Sequence, residues 1–459
     1  TMKLAEKNIL LPAFLFLFQS AIGQTKPYDP DQMYAVDTLK ADLQLVRQKL
    51  EKTHPGLYRY SAEFSMDAFF DSLGHTITHP MKEQEYLSIL TLLNAKIRDG
   101  HTMFLPGSAA SSYNNTLGRF FPFSVINIEG KLYITENYSN DSTIREGEEV
   151  LSINGQSTPD IMFQLLARQI RDGNNQTYPK WILDHYFAAY YSFTFGQPDQ
   201  FYVEFLNTAN ERHKNRVTAL TKDSIRIIRQ VRYFDRHPQA VEGQGITLGE
   251  DKNTGTAILT IKSFDPDLLK SIYKQDYRYT MDSLFSLLHY HRTENLILDL
   301  RDNQGGDFPP ARRLLSYLII EPSRFLMDGK EARLIQPKVN HFSGRLFVLM
   351  NGGSFSATAI VIAILERDKR AIFIGEETGG NKHIICGDPG EEVLPRTKIR
   401  SYISSVTYRI LAGVNDGHGV FPTYPVVPDI TDILIRNDAP KTLALKLISG
   451  RHQAILTHE

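Results

Sequence analysis

The chain of 459 residues contains one cysteine, Cys386, so no intramolecular disulfide can form and its stability must rest on apolar cores. A lone thiol is far more often structural than nucleophilic, and the surrounding KHIICGD reads as strand or loop. Charge of one sign is lacking too. The 51 Lys and Arg nearly balance 52 Asp and Glu, and no long single-sign tract occurs, which argues against nucleic acid as an obligate partner. The most basic run, RIIRQVRYFDRH at 226–237, interleaves its arginines with Ile, Val and Tyr as a partly buried segment would, and is read as a solvated or linker face in preference to a binding patch. There is no HExxH, no CxxC pair and no glycine-rich GxxxxGK loop, so neither a zinc hydrolase nor a P-loop enzyme has support, and no metal or organic cofactor is expected. A long apolar run stands out at the N-terminus, where Lys3 and Lys7 precede ILLPAFLFLF (9–18), then Gln19 and the small-residue pattern Ala21-Ile22-Gly23. This predicts a signal peptide over residues 1–23, cleaved before Gln24, and export to the periplasm or medium. The run is too short to span a bilayer and no cysteine follows the cleavage site, so the mature chain is expected to lack a transmembrane segment and a lipid anchor.

What is present is ample core material: 42% of residues are hydrophobic and 11% aromatic, enough for two or three domains. Apolar residues recur at Val36, Leu39, Leu43, Val46 and Leu50, then in two further helical runs that end at Asp99-Gly100, predicting a helical domain over 30–117. From Phe121 the period becomes strand-like (FPFSVINI, KLYITENY, EEVLSING), followed by the helical PDIMFQLLARQI and two more strands. Such a unit, over 118–222, looks like a degenerate PDZ-like module. Beyond 245 short β-rich runs alternate with helical ones to the end of the chain, the pattern of an α/β layered domain over 245–459.

Two strand ends in that last region carry the same device. NLILDLRDNQGGD ends at Gly305-Gly306, and RLFVLMNGGSFSATA ends at Gly352-Gly353 with serines where a helix begins. Glycine turns let backbone N–H groups face a ligand or a developing oxyanion, and a helix N-terminus favours negative charge. From the residues alone, Ser354 or Ser356 is either a helix cap or a nucleophile.

LILDLRDNQGG, VLMNGGSFSATA and IFIGEETGG, in this order, resemble the core of the S41 family of serine peptidases, the C-terminal processing or tail-specific proteases and their relatives. HPGLYRY, IRDGHT and GHGVFPTYPVVPDI extend the likeness from about residue 36 to the end. The resemblance implies an α/β fold with a ClpP/crotonase-like core, Ser356 as nucleophile, Ser354 as a structural hydroxyl, and an oxyanion hole built from the N–H of Ala357 and of Gly305 or Gly306. Gln304 stands where many relatives have glycine, which leaves that choice open. The processing proteases use a lysine base whose position falls on Asn381; Lys382, one residue late, is the alternative base, although a one-residue slip reverses a strand side chain. The tricorn-core-like branch uses a histidine from the N-terminal part, which falls on His101, and an acid near the C-terminus, which falls on Asp416; Glu376 or Glu377 is the alternative organiser, and His418 is a weaker base candidate. The implied function is an exported serine endopeptidase that cuts extended or unfolded protein segments, with the PDZ-like module presenting the peptide. The alternative is a catalytically inactive scaffold that carries peptide or a hydrophobic ligand. A crotonase-type acyl thioester substrate fits poorly with export.

Overall fold

Leu39, Leu43, Val46 and Leu50 fall on one face of α1 (Val36–Thr53), and all four are buried. The computed structural model, which describes residues 28–236, 243–329 and 331–450, packs this face against α2 (Glu63–Thr76), α3 (Glu83–Leu90) and α4 (Leu92–Ile97). The predicted signal peptide lies outside the described residues, and among those described no helix is long and apolar enough to cross a membrane. Leu394, Ile399 and Ile403 complete the helical core from the far end of the chain. They arrive there because Met103–Leu105 pairs antiparallel with Arg400–Ile403, which in turn pairs with Gly390–Val393. Asp42 of α1 seals the joint: fully buried, it accepts the N–H and hydroxyl of Thr397, both at 2.9 Å. Nothing in the local pattern signals this pairing, which anchors the exit of α4.

After α5 (Ser108–Thr116), strands β1 (Phe123–Ile128), β2 (Lys131–Asn137), β3 (Glu149–Ile153), β4 (Gln200–Leu206) and β5 (Arg212–Thr218) form an antiparallel sheet in that order. Alternate side chains such as Val125, Ile134, Val150, Val203 and Phe205 share a core with α6 (Thr158–Leu166) and α7 (Thr177–Phe195). Most of the basic run lies in α8 (Lys222–Arg232), in which no residue is buried and Ile227 and Val231 are exposed, as a solvated face would be. Arginine bonds attach it instead: Arg232 donates to the carbonyls of Asn137 and Ser139, and Arg229 to the Tyr138 hydroxyl.

The last region is a six-stranded sheet, β6 (Ile246–Asp251), β7 (Thr256–Ile261), β8 (Asn295–Asp299), β9 (Arg345–Met350), β10 (Ile372–Gly375) and β11 (Tyr424–Pro425), parallel except for β6. Leu296, Leu298, Leu346 and Val348 face a core shared with α9 (Pro266–Tyr273), α10 (Tyr277–Tyr290), α11 (Phe308–Leu318) and α12 (Ala357–Arg367). Ile297, Phe347 and Leu349 pack on the opposite side against the helix Ala439–Ile448. Burial on both faces explains why these strands read as continuous apolar runs. β8 and β9 are neighbours with Asp299 opposite Leu349, so the two glycine turns leave the sheet side by side at its carboxyl edge, where parallel sheets bind ligands.

Candidate active site

Ser354 and Ser356 have different surroundings. The buried Ser354 hydroxyl donates to the Leu300 carbonyl (2.9 Å), tying the two turns together. Ser356 occupies the N-cap position of α12 but makes no capping bond; its backbone sits at φ 53°, ψ −124°. A non-glycine residue held there stores about 1–3 kcal/mol, and such strain persists only where neighbours over-determine it. They do so here: Phe355 N–H donates to Asn303 O, and Ile360 N–H to Ser356 O. The Ser356 hydroxyl is turned to His101, with Oγ 3.0 Å from Nε2.

His101 is delivered by the end of α4. Arg98 takes the left-handed conformation (φ 60°), Asp99-Gly100 turns, and the paired strand Met103–Leu105 fixes the exit. The imidazole stacks on Phe355, centroids 4.8 Å apart, and its side chain is 15% exposed. Burial pushes it below the usual histidine range, against the charges of Asp99 and Asp388, so the ring is neutral at neutral pH. Behind it, Asp99 Oδ1 accepts the His101 N–H (3.1 Å) and faces Nδ1 at 4.0 Å, just beyond hydrogen-bond range. Asp99 Oδ2 accepts from His54 Nε2 (2.9 Å), Thr102 Oγ1 (2.6 Å) and Ser404 Oγ (2.6 Å). His54 Nδ1 accepts the Gly56 N–H (3.1 Å), which places the ring proton on Nε2, toward Asp99. Burial raises the Asp99 carboxyl, but the His54 hydrogen bond, the pull of the His54 and His101 rings and the Ser404 hydroxyl outweigh it and hold the group below the usual carboxylate range.

The two turns touch. A Cβ on Gly305 (φ 96°) would stand 2.8 Å from Ala357 N and 2.9 Å from Ser356 Cβ, so only glycine fits. The Gly305 N–H is already committed to Asn303 Oδ1 (2.9 Å), whereas no hydrogen bond among the described residues takes up the N–H of Gly306 or Ala357.

Asp416 is not brought to His101, a correction to the sequence expectation. It is exposed, its Oδ1 accepts the His418 N–H (3.0 Å), and no hydrogen bond or ion pair joins it to the imidazole. The loop is turned so that Asn415 points inward, bonded to Asn381 (2.8 Å) and the Tyr60 hydroxyl (3.0 Å). The carboxylate facing His101 is Asp99, two residues upstream of it. Lys382 points away as well, paired with Glu366 of α12 at 3.3 Å, while its neighbour Asn381 is the fully buried side chain of that turn. Glu377 accepts from Gly419 N–H (2.8 Å) and His418 (3.1 Å) and braces the 417–420 loop; Glu376 is largely buried, which raises its carboxyl. Cys386 is buried in the strand Ile384–Gly387, and burial pushes its thiol up to about 12, far from a thiolate nucleophile.

Sequence reasoning passed over Asp99 as an acid and missed Asp172. A signal was available: IRDG occurs twice, at 97–100 and 170–173, and the fold brings the two aspartates together, with Asp99, His101 and Asp172 offering ligand atoms within 4.8 Å of one another. His54, Asp99 and Cys386 are grouped as closely, but both nitrogens of His54 are already bonded, which leaves that trio no imidazole for a metal.

Residues 255–389 match the model of Peptidase family S41. The chain is similar to the tail-specific protease of Haemophilus influenzae, 28% identical over 173 residues, 36% of this chain; the match spans 22% of that protein's length. Among solved structures it is similar to mature CPAF, with a TM-score of 0.64 at 15% identity over 92% of this chain and 98% of the other. The likeness to CPAF establishes a shared mixed α/β fold along nearly the whole chain. The photosystem II D1 C-terminal processing protease aligns more loosely, with a TM-score of 0.43 at 15% identity over 87% of this chain and 96% of the other.

Proposed function

Residues 255–389 match the model of Peptidase family S41, and from that premise we propose that the protein is a serine endopeptidase of this family with Ser356 as nucleophile and His101 as base. The observation that carries this reading is the 3.0 Å contact of Ser356 Oγ with a neutral imidazole. As Oγ bonds to the peptide carbonyl carbon, Nε2 takes the hydroxyl proton. The carbonyl electron pair moves to oxygen, where the N–H groups of Ala357, at the N-terminus of α12, and Gly306 stabilise it. The imidazolium then protonates the leaving amine, the C–N bond breaks, and water releases the acyl group by the same steps in reverse roles. Asp99 stabilises the imidazolium by drawing Nδ1–H across the 4.0 Å gap as positive charge develops.

The finer features belong to the same proposal. The core is of ClpP/crotonase type, and the β1–β5 unit is a PDZ-like module that adds an extended peptide to a sheet edge and passes it to the core. Extended or unfolded segments of exported proteins are the substrates, in keeping with the signal-peptide reading. The carrier alternative drew its support from Asn381 standing in place of lysine, and His101 supplies a base without that lysine.

The test is mass-spectrometric detection of cleavage in a library of unstructured peptides. Wild type and Lys382→Ala are expected to cut alike, and Ser356→Ala and His101→Ala not at all. Peptides bound but left whole by wild type would turn the reading to the carrier.

A further inference from the structure

The connection between α6 and α7 holds a carboxylate that the reaction above does not use. Asp172, 3% exposed, stands where three loops meet. Its Oδ1 accepts the N–H of Gly100, the residue before His101 (2.8 Å), and its Oδ2 accepts the N–H of Asn381 (3.3 Å). The same connection is fastened on both sides of the site: Gly173 N–H donates to Arg98 O (3.0 Å), Asn174 N–H to Gly417 O (2.7 Å) and Asn175 Nδ2 to Thr378 O (2.9 Å). The base and the nucleophile come from distant parts of the chain, and this segment bridges them.

We propose that Asp172 is a positioning residue for the Ser356–His101 pair, clasping the His101 loop to the Asn381 loop and, when ionised, adding a second negative charge behind the imidazole. The inference rests on the peptidase reading and extends it to what sets the pH at which the pair works. Two buried carboxylates so close together resist ionising at once. Asp99 has the donors of His54, Thr102, Ser404 and His101, against the two backbone donors of Asp172, so the shared proton stays with Asp172. Burial, then the charge of Asp99, push the Asp172 carboxyl up to about 7, against the Gly100 and Asn381 bonds and Arg59. The other titratable groups facing it are Tyr60 on the α1–α2 connection and Tyr178 on α7, whose hydroxyls burial raises, so both stay neutral in this range. His101 loses its proton at a lower pH than Asp172 does, since burial depresses it. The acid side of the kcat/KM profile therefore contains two steps, the upper one belonging to Asp172.

Asp172→Asn preserves the shape of the side chain and removes the charge. The expected result is a kcat about 10-fold lower with KM little changed, and loss of the step near pH 7. Its amide keeps an oxygen toward the Gly100 N–H and gives up the longer Asn381 bond, so the thermal midpoint at pH 8 is expected to stay within about 4 °C of wild type. A carboxyl whose folded-state value lies above its unfolded one costs stability as pH rises between about 4 and 7, and the variant escapes that cost. A profile that keeps both steps, or a loss of kcat that merely follows a fall in thermal midpoint, overturns the proposal. A second readout needs no substrate: in ¹³C-histidine NMR, the His101 signal, assigned by its absence from His101→Ala, shows in wild type a second step near pH 7 as Asp172 ionises beside the neutral ring, and Asp172→Asn loses that step. A step near pH 7 that persists in Asp172→Asn, or that is absent from wild type, overturns the proposal. A wild type that cleaves no peptide removes the peptidase reading while this titration still decides the role of Asp172.

Discussion

On the proposed peptidase reading, Ser356→Ala is expected to lower kcat by about 10⁴-fold or more, while the peptide still binds and the protein stays folded. The hydroxyl makes no capping bond and its contact is with His101 Nε2, so the substitution removes the reacting atom and leaves the scaffold standing. His101→Ala has an effect of the same order. The double variant is expected to be no worse than either single one, because a nucleophile and its base, the proposed roles of the pair, fail as a unit. What activity remains comes from the N–H groups at Gly306 and Ala357 and from binding. Ser356→Gly separates chemistry from strain. It is equally inactive, but glycine adopts φ 53° freely, so it is expected to be about 1 kcal/mol more stable than Ser356→Ala in chemical denaturation. Equal stability of the two would mean that the backbone at this turn stores no strain.

Local pattern carried much of this architecture. The spacing of Leu39, Leu43, Val46 and Leu50 announces α1, and the unbroken apolar runs NLILD and RLFVLM announce strands covered on both faces, as β8 and β9 are. Their glycine-rich ends locate the site, and Ser356 and His101, both named from sequence, meet at 3.0 Å. The acid was not legible, for a physical reason. Which carboxylate faces His101 depends on how loops are pinned: Asn415 bonded inward leaves Asp416 outside, and the turn after Arg98 folds Asp99 back beneath its own neighbour. Such pinning depends on partners such as Ser404 and Tyr60, distant in sequence, and periodicity does not report it. The pairing of Met103–Leu105 with Arg400–Ile403 escaped notice for the same reason.

Asp99→Asn is the substitution that reaches furthest through the site, and its expected effects are large in both activity and stability. The amide can keep an oxygen toward His54, Thr102 and Ser404, but its NH₂ then faces the His101 N–H and Nδ1, donor against donor. The ring is drawn to the tautomer with its proton on Nε2, which cannot accept from Ser356, and kcat falls by about 10³-fold. Loss of a buried charge that several donors serve also lowers stability by about 3 kcal/mol at pH 7. The sign of the pH dependence follows from the depressed carboxyl. Its folded-state value lies below the unfolded one, so its contribution is complete above about pH 4 and is lost as pH falls further. Denaturation of the variant and wild type should therefore differ most near neutrality and converge in acid; a gap that persists undiminished at pH 2 would show that packing, not charge, is at stake. Without the Asp99 charge, Asp172 ionises at lower pH, and the upper step of the kcat/KM profile moves down with it. Asp416→Asn measured beside it should change kcat by less than about threefold, because the exposed Asp416 carboxylate accepts the His418 N–H of its own loop and makes no bond to His101 among the described residues. A loss at Asp416 comparable to that at Asp99 would mean that the 411–419 loop closes on His101 during turnover and that the acid is exchanged between the resting and the working site.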